Sequence, residues 1–208
     1  MTCTTKSLYK SIEACPGKKN TPGIRRRLYY IDRRAIAKFP KLPDADDEGV
    51  TDMGKLAQYQ GDFALESDQY FKFIDLKDEA SNVTFEPVGE NGSKLYNNQA
   101  NAVVAGQDDE VKGFARQALN DDIVYVYQDR AGKFCVLGNE MFECHTSPSG
   151  DTAAEVTGAV TTTFAIQCYD ECPVPTYTGK LKLSADEVLD CSTGEIEKLT
   201  NQPVPGEE

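Results

Sequence analysis

The sequence predicts a mainly β protein, a β-sandwich or barrel with one flanking α-helix. Short apolar runs with alternating residues recur along the chain and are separated by turn residues, which is typical of antiparallel strands. A single segment shows the residue spacing of an amphipathic helix. A two-layer or closed β structure is the simplest arrangement that buries the apolar face of every such element.

The predicted strands follow one another closely. They cover residues 27–33, 69–77, 81–88, 93–105, 123–127, 133–137, 160–167 and 177–183, with a hairpin at 187–199. The pair Asn91-Gly92 predicts a tight turn between two of them. Strand 69–77 is apolar on both faces, so we expect it to be covered on both sides. His145 stands near Ser147, Pro148 and Gly150, and we expect it in a loop.

The predicted helix spans residues 108–120. Acidic residues in its first turn, from Asp108 to Glu110, suit the positive end of the helix dipole. Val111, Phe114, Ala115 and Ala118 recur at helical spacing and form one apolar face. We expect that face to pack on a sheet.

The chain of 208 residues is long enough for one domain with extensions. We expect an N-terminal extension at 1–20, a β domain at 21–179 with a long acidic loop at 41–57, and a C-terminal extension at 180–208. The acidic loop and residues 201–208 contain few aromatic residues, so they bury too little apolar surface to offset their ordering entropy. We therefore expect them to be disordered or ordered by a neighbouring chain.

The net charge of −12 argues against a protein that grips a nucleic-acid backbone. Basic residues nevertheless crowd the first fifth of the chain, while most acids follow Asp44. They are Lys18, Lys19, Arg25, Arg26, Arg27, Arg33, Arg34, Lys38 and Lys41. This asymmetry indicates either solvated faces of opposite sign or head-to-tail attraction between identical subunits.

The beginning of the chain has no continuous apolar stretch, and we expect no signal peptide. No segment approaches the ~20 apolar residues of a membrane helix. We therefore expect no membrane contact and production in a cytoplasm, from which the protein leaves only as part of a particle.

Motifs of catalysis and cofactor binding are missing: there is no G-x-S-x-G elbow, Walker loop, dinucleotide fingerprint or H-E-x-x-H. We therefore expect no enzyme, no catalytic residue and no cofactor. Asp44, Asp46, Asp47 and Glu48 suggest calcium, but the glycine and the distal glutamate of an EF-hand are out of register.

The cysteines raise the question of a metal site or of disulfides. Cys144-His145 and Cys168-x-x-x-Cys172 offer zinc ligands, but adjacent residues rarely reach one ion and no C-x-x-C is present. We expect no metal site. Disulfides are disfavoured in a reducing compartment, so we expect free thiols that act as small apolar residues.

The order of these features resembles the major tail-tube proteins of long-tailed bacteriophages, in particular those of Bacteroidetes-type phages and prophages. The residues that carry the resemblance are Thr21-Pro22-Gly23-Ile24, Tyr29-Tyr30-Ile31, Gly61-Asp62-Phe63, 70–76, Gly113-Phe114-Ala115, 123–127, 132–138, Gly158, 160–166 and Pro175-x-Tyr177-x-Gly179. The resemblance spans roughly residues 21–179 and depends on the order of elements. The cysteines and the chain beyond Gly179 depart from the family pattern.

The resemblance implies a tail-tube-like β domain that forms hexameric rings, and rings that stack into a hollow tube through which phage DNA passes. It implies a location in the virion tail after assembly in the bacterial cytoplasm. The implied partners are copies of the chain and other tail proteins such as the tape measure, the terminator or the baseplate. DNA would pass without specific binding, since a negative lining does not hold phosphates.

Two sets of residues are candidates for roles in such an assembly. The candidate self-assembly arm comprises Pro43, Asp44, Asp46, Asp47, Glu48, Met53 and Leu56. The candidate wall of the lumen comprises Lys72, Asp75, Lys77, Asn97, Gln99 and Asn101. The alternatives are a non-enzymatic β-sandwich module that binds or decorates a virion or cell surface, and an enzyme built on a β-barrel.

Overall fold

The computed structural model describes residues 6–199, and residues 201–208 of the predicted C-terminal tail lie outside this range. Strands take 41% and helices 9% of the chain, which confirms a mainly β protein with antiparallel sheets. The strands are β1 Ile24–Asp32, β2 Ile36–Lys38, β3 Ala64–Leu65, β4 Lys72–Asp75, β5 Asn82–Val88, β6 Leu95–Ala105, β7 Ile123–Asp129, β8 Phe134–Leu137, β9 His145–Asp151, β10 Thr161–Asp170, β11 Thr176–Tyr177, β12 Lys180–Lys182, β13 Glu187–Asp190 and β14 Glu195–Lys198; the helices are α1 Met53–Leu56, α2 Asp109–Ala118 and a 3-10 turn Arg33–Ala35.

The strands form two main sheets. The five-stranded sheet has the order β11-β8-β7-β1-β4, and the four-stranded sheet has the order β5-β6-β10-β9. Strands β12, β13 and β14 form a smaller sheet, and β2 pairs with β3. The predicted helix is present as α2, and Phe114 packs edge-on against Phe164 of the four-stranded sheet and Tyr30 of the five-stranded sheet. The helix therefore sits at the flank of a β-sandwich.

The central strands of the five-stranded sheet are buried on both faces. Along β7, Ile123, Tyr125 and Tyr127 face the four-stranded sheet, while Val124 and Val126 join a second core on the opposite side. This second core is closed by Phe63, Phe71, Leu181 and Leu189, among others. Burial on both faces explains why β7 is apolar at every position from Ile123 to Tyr127.

The structure corrects three local predictions. His145 begins strand β9 and is not in a loop. The predicted strand 177–183 divides into β11 and β12, because the chain bends at Gly179. In the predicted strand 69–77, Phe71 is buried but Phe73 is exposed, because β4 is an edge strand and only the Arg27 guanidinium stacks on that ring, 3.9 Å from its centroid.

The acidic segment 41–57 is ordered against its own chain, so the prediction that it needs a neighbour to be ordered was wrong. Pro43 and Val50 are buried, and Lys41 exchanges two backbone hydrogen bonds with Gln60. The Asp52 carboxylate accepts the Gly54 N–H and caps α1. A few apolar anchors and aspartate turns therefore stabilise a segment whose composition resembles that of a disordered loop.

The fold continues beyond the predicted boundary at Gly179. Leu181, Val188 and Leu189 of the C-terminal sheet are buried, and the Lys182 carbonyl accepts the Phe71 N–H at 2.8 Å. Residues 180–199 thus pack on the second core. Residues 6–20, in contrast, form no helix or strand, and Tyr9 and Ile12 are 93% and 86% exposed.

A hydrogen-bonded corner joins the C-terminal sheet to the loop before β3. The buried Tyr177 hydroxyl donates to the Lys180 carbonyl at 3.1 Å and accepts the Phe63 N–H at 3.3 Å. The Asp62 carboxylate accepts the Lys180 N–H at 2.9 Å. Gly179 lies inside this corner, where an added Cβ would stand 2.5 Å from the Tyr177 hydroxyl oxygen.

A second buried hydrogen-bonding group fixes the loop after β10. Asn98 is fully buried between the sheets; its amide donates to the Cys172 carbonyl at 3.1 Å and accepts the Val174 N–H at 3.2 Å. The Asn98 side chain therefore satisfies two backbone groups of this loop that no neighbouring strand pairs with.

Asp170 is a buried carboxyl group at the end of β10. It is 3% exposed, and it accepts the Cys172 N–H at 3.2 Å and the Tyr59 hydroxyl at 3.5 Å. Burial raises the pKa of Asp170 above its ordinary value, although hydrogen bonds to the carboxylate offset part of the effect.

We expect Asp170→Asn to stabilise the protein more at pH 7 than at pH 4. The pKa of Asp170 is raised in the folded state, so the unfolded chain ionises first as pH rises, and the free energy of unfolding falls until pH passes the folded-state pKa. Asparagine removes this loss, which is about 1.4 kcal/mol for each pKa unit of the shift. Urea unfolding at the two pH values measures the difference.

The control for this prediction is Asp186→Asn, which removes the same charge at an exposed position. Its effect on the free energy of unfolding should be small, because the side chain is exposed. Equal pH profiles for the two variants would contradict the role given to Asp170.

Candidate assembly surface

The four-stranded sheet has an outer face whose residues are exposed or half-buried, apart from the buried Asn97. Its inner face carries Ala100, Ala102, Phe164 and Ile166 and is buried in the sandwich. Cross-strand register places the alternate residues on the outer face. These are Asn82, Thr84, Glu86 and Val88 on β5; Leu95, Asn97, Gln99, Asn101, Val103 and Ala105 on β6; Thr161, Thr163, Ala165, Gln167 and Tyr169 on β10; and His145, Ser147, Ser149 and Asp151 on β9.

This outer face carries amide and hydroxyl groups among small apolar residues, and it has no lysine or arginine. None of the four strands contains a lysine or an arginine, although the chain has 22 of them. Among the outward positions, Glu86 and Asp151 are the carboxylates. The surface is therefore polar and weakly negative, and it has no lysine or arginine to neutralise a phosphate.

Hydrogen bonds between neighbouring side chains hold this face in place. The Glu86 carboxylate accepts from the amides of Asn97 and Gln99 at 3.2 and 3.4 Å, and the Asn101 amide donates to Asn82 at 3.4 Å. The amide oxygen of Asn97, Oδ1, is buried and has no hydrogen-bond partner within the described residues. Glu86 thus fixes two amides across the β5–β6 pair.

The two edges of the four-stranded sheet, β5 and β9, are open. Each contains one proline, Pro87 opposite Tyr96 and Pro148 opposite Phe164. Because each strand stays paired through its proline, the proline nitrogen lies on the open side and removes one donor there. A further strand can therefore pair with either edge over part of its length.

The structure divides the predicted lumen residues between two sheets. Asn97, Gln99 and Asn101 lie together on the outer face of the four-stranded sheet. Lys72 and Asp75 lie on β4 of the other sheet, where Asp75 pairs with Arg27 at 3.0 Å. Lys77 follows that strand, and its N–H donates to the Val103 carbonyl of β6 at 2.7 Å. The six residues do not form one surface.

The predicted arm lies on the surface but is attached to its own chain. Asp47 pairs with Lys41 at 2.8 Å, and this hydrogen bond lowers the pKa of Asp47. The Lys6 N–H donates to the Asp46 carboxylate at 3.0 Å. The remaining members divide by exposure: Asp44 and Glu48 are exposed, Met53 and Leu56 half-buried, and Pro43 buried.

The basic residues of the first fifth are largely used within the chain. Ion pairs join Arg26 to Asp78, Arg27 to Asp75, Arg33 to Asp122, Arg34 to Asp32 and Asp121, and Lys41 to Asp47. Most of these pairs are exposed, so water and salt screen the attraction and each pair adds little to stability. They nevertheless leave less positive charge for a neighbouring copy than the sequence alone suggests.

The residues considered for a zinc site diverge. His145 faces outward on β9, while Cys144 is buried on the inner side with Cys168. Between residues 6 and 199, no three His, Cys, Asp or Glu side chains come together as metal ligands would. Over the same residues, the helices are too short or too polar to cross a bilayer.

Comparison of the chain with protein-family models, with curated proteins and with solved structures found no match.

Proposed function

We propose that this chain is a non-enzymatic structural subunit that assembles with copies of itself into the wall of a hollow tube. The outer face of the four-stranded sheet would line the bore, and its open edges would meet neighbouring copies. This follows the resemblance to phage tail-tube proteins, with stacked hexameric rings in a virion tail and DNA as the passing cargo. The observation that carries the proposal is the exposed sheet face without any lysine or arginine.

The charge of this face suits a conduit for DNA. Double-stranded DNA carries one negative charge per ~1.7 Å of its axis, so a lining with lysine or arginine would hold it through released counterions. Amide and hydroxyl groups with the carboxylates of Glu86 and Asp151 offer no such attraction. Repulsion from the carboxylates is screened over about 8 Å in physiological salt, which permits passage.

The open edges supply a route to a closed wall. An edge strand presents unpaired backbone groups that template a further strand, and a heterologous contact that repeats around an axis closes into a ring. The β5 edge of one copy would meet the β9 edge of the next, on either side of Pro87 and Pro148. The exposed Tyr9 and Ile12 give the N-terminal extension apolar groups for contact with another copy.

One observation favours a second candidate, the module that binds or decorates a surface as a monomer. The segments 41–57 and 180–199 both pack on the chain's own core. The chain therefore buries these segments without a neighbouring copy, which is what a monomeric module must do.

Electron microscopy of the purified full chain over a range of concentrations separates the two candidates. Rings or tubes, with a matching rise in mass by light scattering, are the result expected for the tube subunit. Single particles at every concentration, under both low and physiological salt, would overturn the proposal and leave the monomeric module.

A charge variant tests which face lines the bore. We expect tubes of Ala165→Lys to retain short double-stranded DNA at least about tenfold better than wild-type tubes at low salt, and to release it as salt rises. Ala165 is exposed at the centre of the outer face. Labelled DNA is mixed with tubes, the tubes are sedimented, and the DNA in the pellet is measured.

The matched control is Ala131→Lys, because Ala131 is exposed in the turn between β7 and β8, which belong to the five-stranded sheet. Equal DNA retention by the two variants would place the sheet face outside the bore.

A further inference from the structure

Two buried cysteines lie opposite each other at the open edge of the four-stranded sheet. The last register pair of β9 and β10 joins His145 to Gln167, so the next pair of facing positions on these two strands is Cys144 and Cys168. Both side chains face the sandwich interior, and each residue is 1% exposed. Both are free thiols.

The two thiols are in direct contact. A hydrogen bond between them is the largest cause of a strongly raised pKa at Cys144, and burial adds to it. Facing residues of antiparallel strands have Cα atoms roughly 4.5–5.5 Å apart. A disulfide accepts Cα separations of roughly 4.4–6.8 Å, so the strands need not move apart or together to form one.

We propose that Cys144 and Cys168 are a disulfide-forming pair that closes when the protein meets an oxidising disulfide such as oxidised glutathione. One thiolate attacks a glutathione sulfur and releases one glutathione as thiol. The second cysteine then attacks the protein sulfur of the mixed disulfide and releases the other glutathione. The protein loses two hydrogens, and the oxidant becomes two thiols.

The bond would fasten the edge strand β9 to β10. The native pair should react slowly, because both sulfurs are buried and the raised pKa of Cys144 keeps its thiol protonated at neutral pH. Reaction therefore needs opening of β9, which is paired on one side only. We expect the rate to rise with pH, since the thiolate is the attacking form. This inference does not depend on the proposed function.

Peptide mapping of the native full chain after exposure to oxidised glutathione tests the pair. Free thiols are alkylated in denaturant, and cleavage after glutamate places Cys144 in peptide 144–155, Cys168 in 156–171 and Cys172 in 172–187. We expect 144–155 linked to 156–171, and a melting temperature raised by roughly 5–10 °C over the reduced protein.

Variants supply the controls. Cys168→Ser should abolish both the linked peptide and the rise in melting temperature. Cys191→Ser should keep both, because Cys191 is equally buried but belongs to the second core. Free thiols at both positions after prolonged exposure at pH 8.5, or a link to any other cysteine, would overturn the proposal whether or not either variant folds.

Discussion

Gly179→Ala is expected to lower the free energy of unfolding by roughly 2–4 kcal/mol. The new Cβ would lie 2.5 Å from the Tyr177 hydroxyl oxygen and closer still to the Asp62 carboxylate. Neither group can withdraw freely, because Tyr177 is fully buried and Asp62 holds the Lys180 N–H. The corner must open, and its hydrogen bonds to Phe63 and Lys180 are lost. Urea unfolding followed by circular dichroism measures the change.

A second glycine provides the control. Gly113 lies in α2, and a Cβ there would meet nothing within 4 Å. Gly113→Ala should stabilise the protein by about 0.5–1 kcal/mol, through the higher helix propensity of alanine. If the two variants changed stability in the same direction and by similar amounts, the close packing at Gly179 would not be the cause.

Asn98→Ala is expected to cost roughly 3 kcal/mol, because it leaves the Cys172 carbonyl and the Val174 N–H without their partner inside the protein. Each unsatisfied buried group costs about 1–3 kcal/mol. The loop after β10 should loosen as well, and hydrogen exchange at Val174 should become faster. Thermal and urea unfolding give the stability, and exchange by NMR or mass spectrometry gives the local effect.

The matched control is Asn101→Ala on the same strand. Asn101 faces outward and is exposed, with one long hydrogen bond to Asn82 at 3.4 Å. We expect this variant to change stability by no more than about 0.5 kcal/mol. A loss as large as that of Asn98→Ala would show that β6, and not the loop, is the sensitive element.

The elements with strong local patterns were predicted well from the sequence. The helix α2 and the hairpin of β7 and β8 appear within a few residues of their predicted bounds. Their apolar spacing reflects burial that each segment experiences along its whole length. The strand predicted at 160–167 is present as β10, Thr161–Asp170, for the same reason.

Strand β9 was missed because its residues favour turns. Its segment His145–Asp151 contains serine, proline and glycine, and it becomes a strand through pairing with β10. The burial of segment 41–57 was missed for a related reason. Isolated apolar residues such as Pro43 and Val50 show no period, so only the folded chain reveals that they are buried.

The sequence predicted part of the candidate surface, namely the shared face on β6, but not the sheet to which it belongs. Asn97, Gln99 and Asn101 were selected together, and the alternation along β6 does place them on one face. The grouping of β5, β6, β9 and β10 into one sheet depends on contacts between distant segments, which local patterns do not encode. One signal was available: no lysine or arginine occurs from residue 134 to residue 179.

Because β5, β6, β9 and β10 contain no lysine, amine-reactive reagents cannot label the outer face of their sheet. A reagent that acylates lysine will mark the remaining surface and leave the four-stranded sheet untouched, because it offers no ε-amino group. In Ala165→Lys that sheet gains a single reactive amine. The other amines would first be blocked reversibly. A fluorophore or a heavy-atom cluster attached to the new lysine would then mark the position of this face within any larger particle.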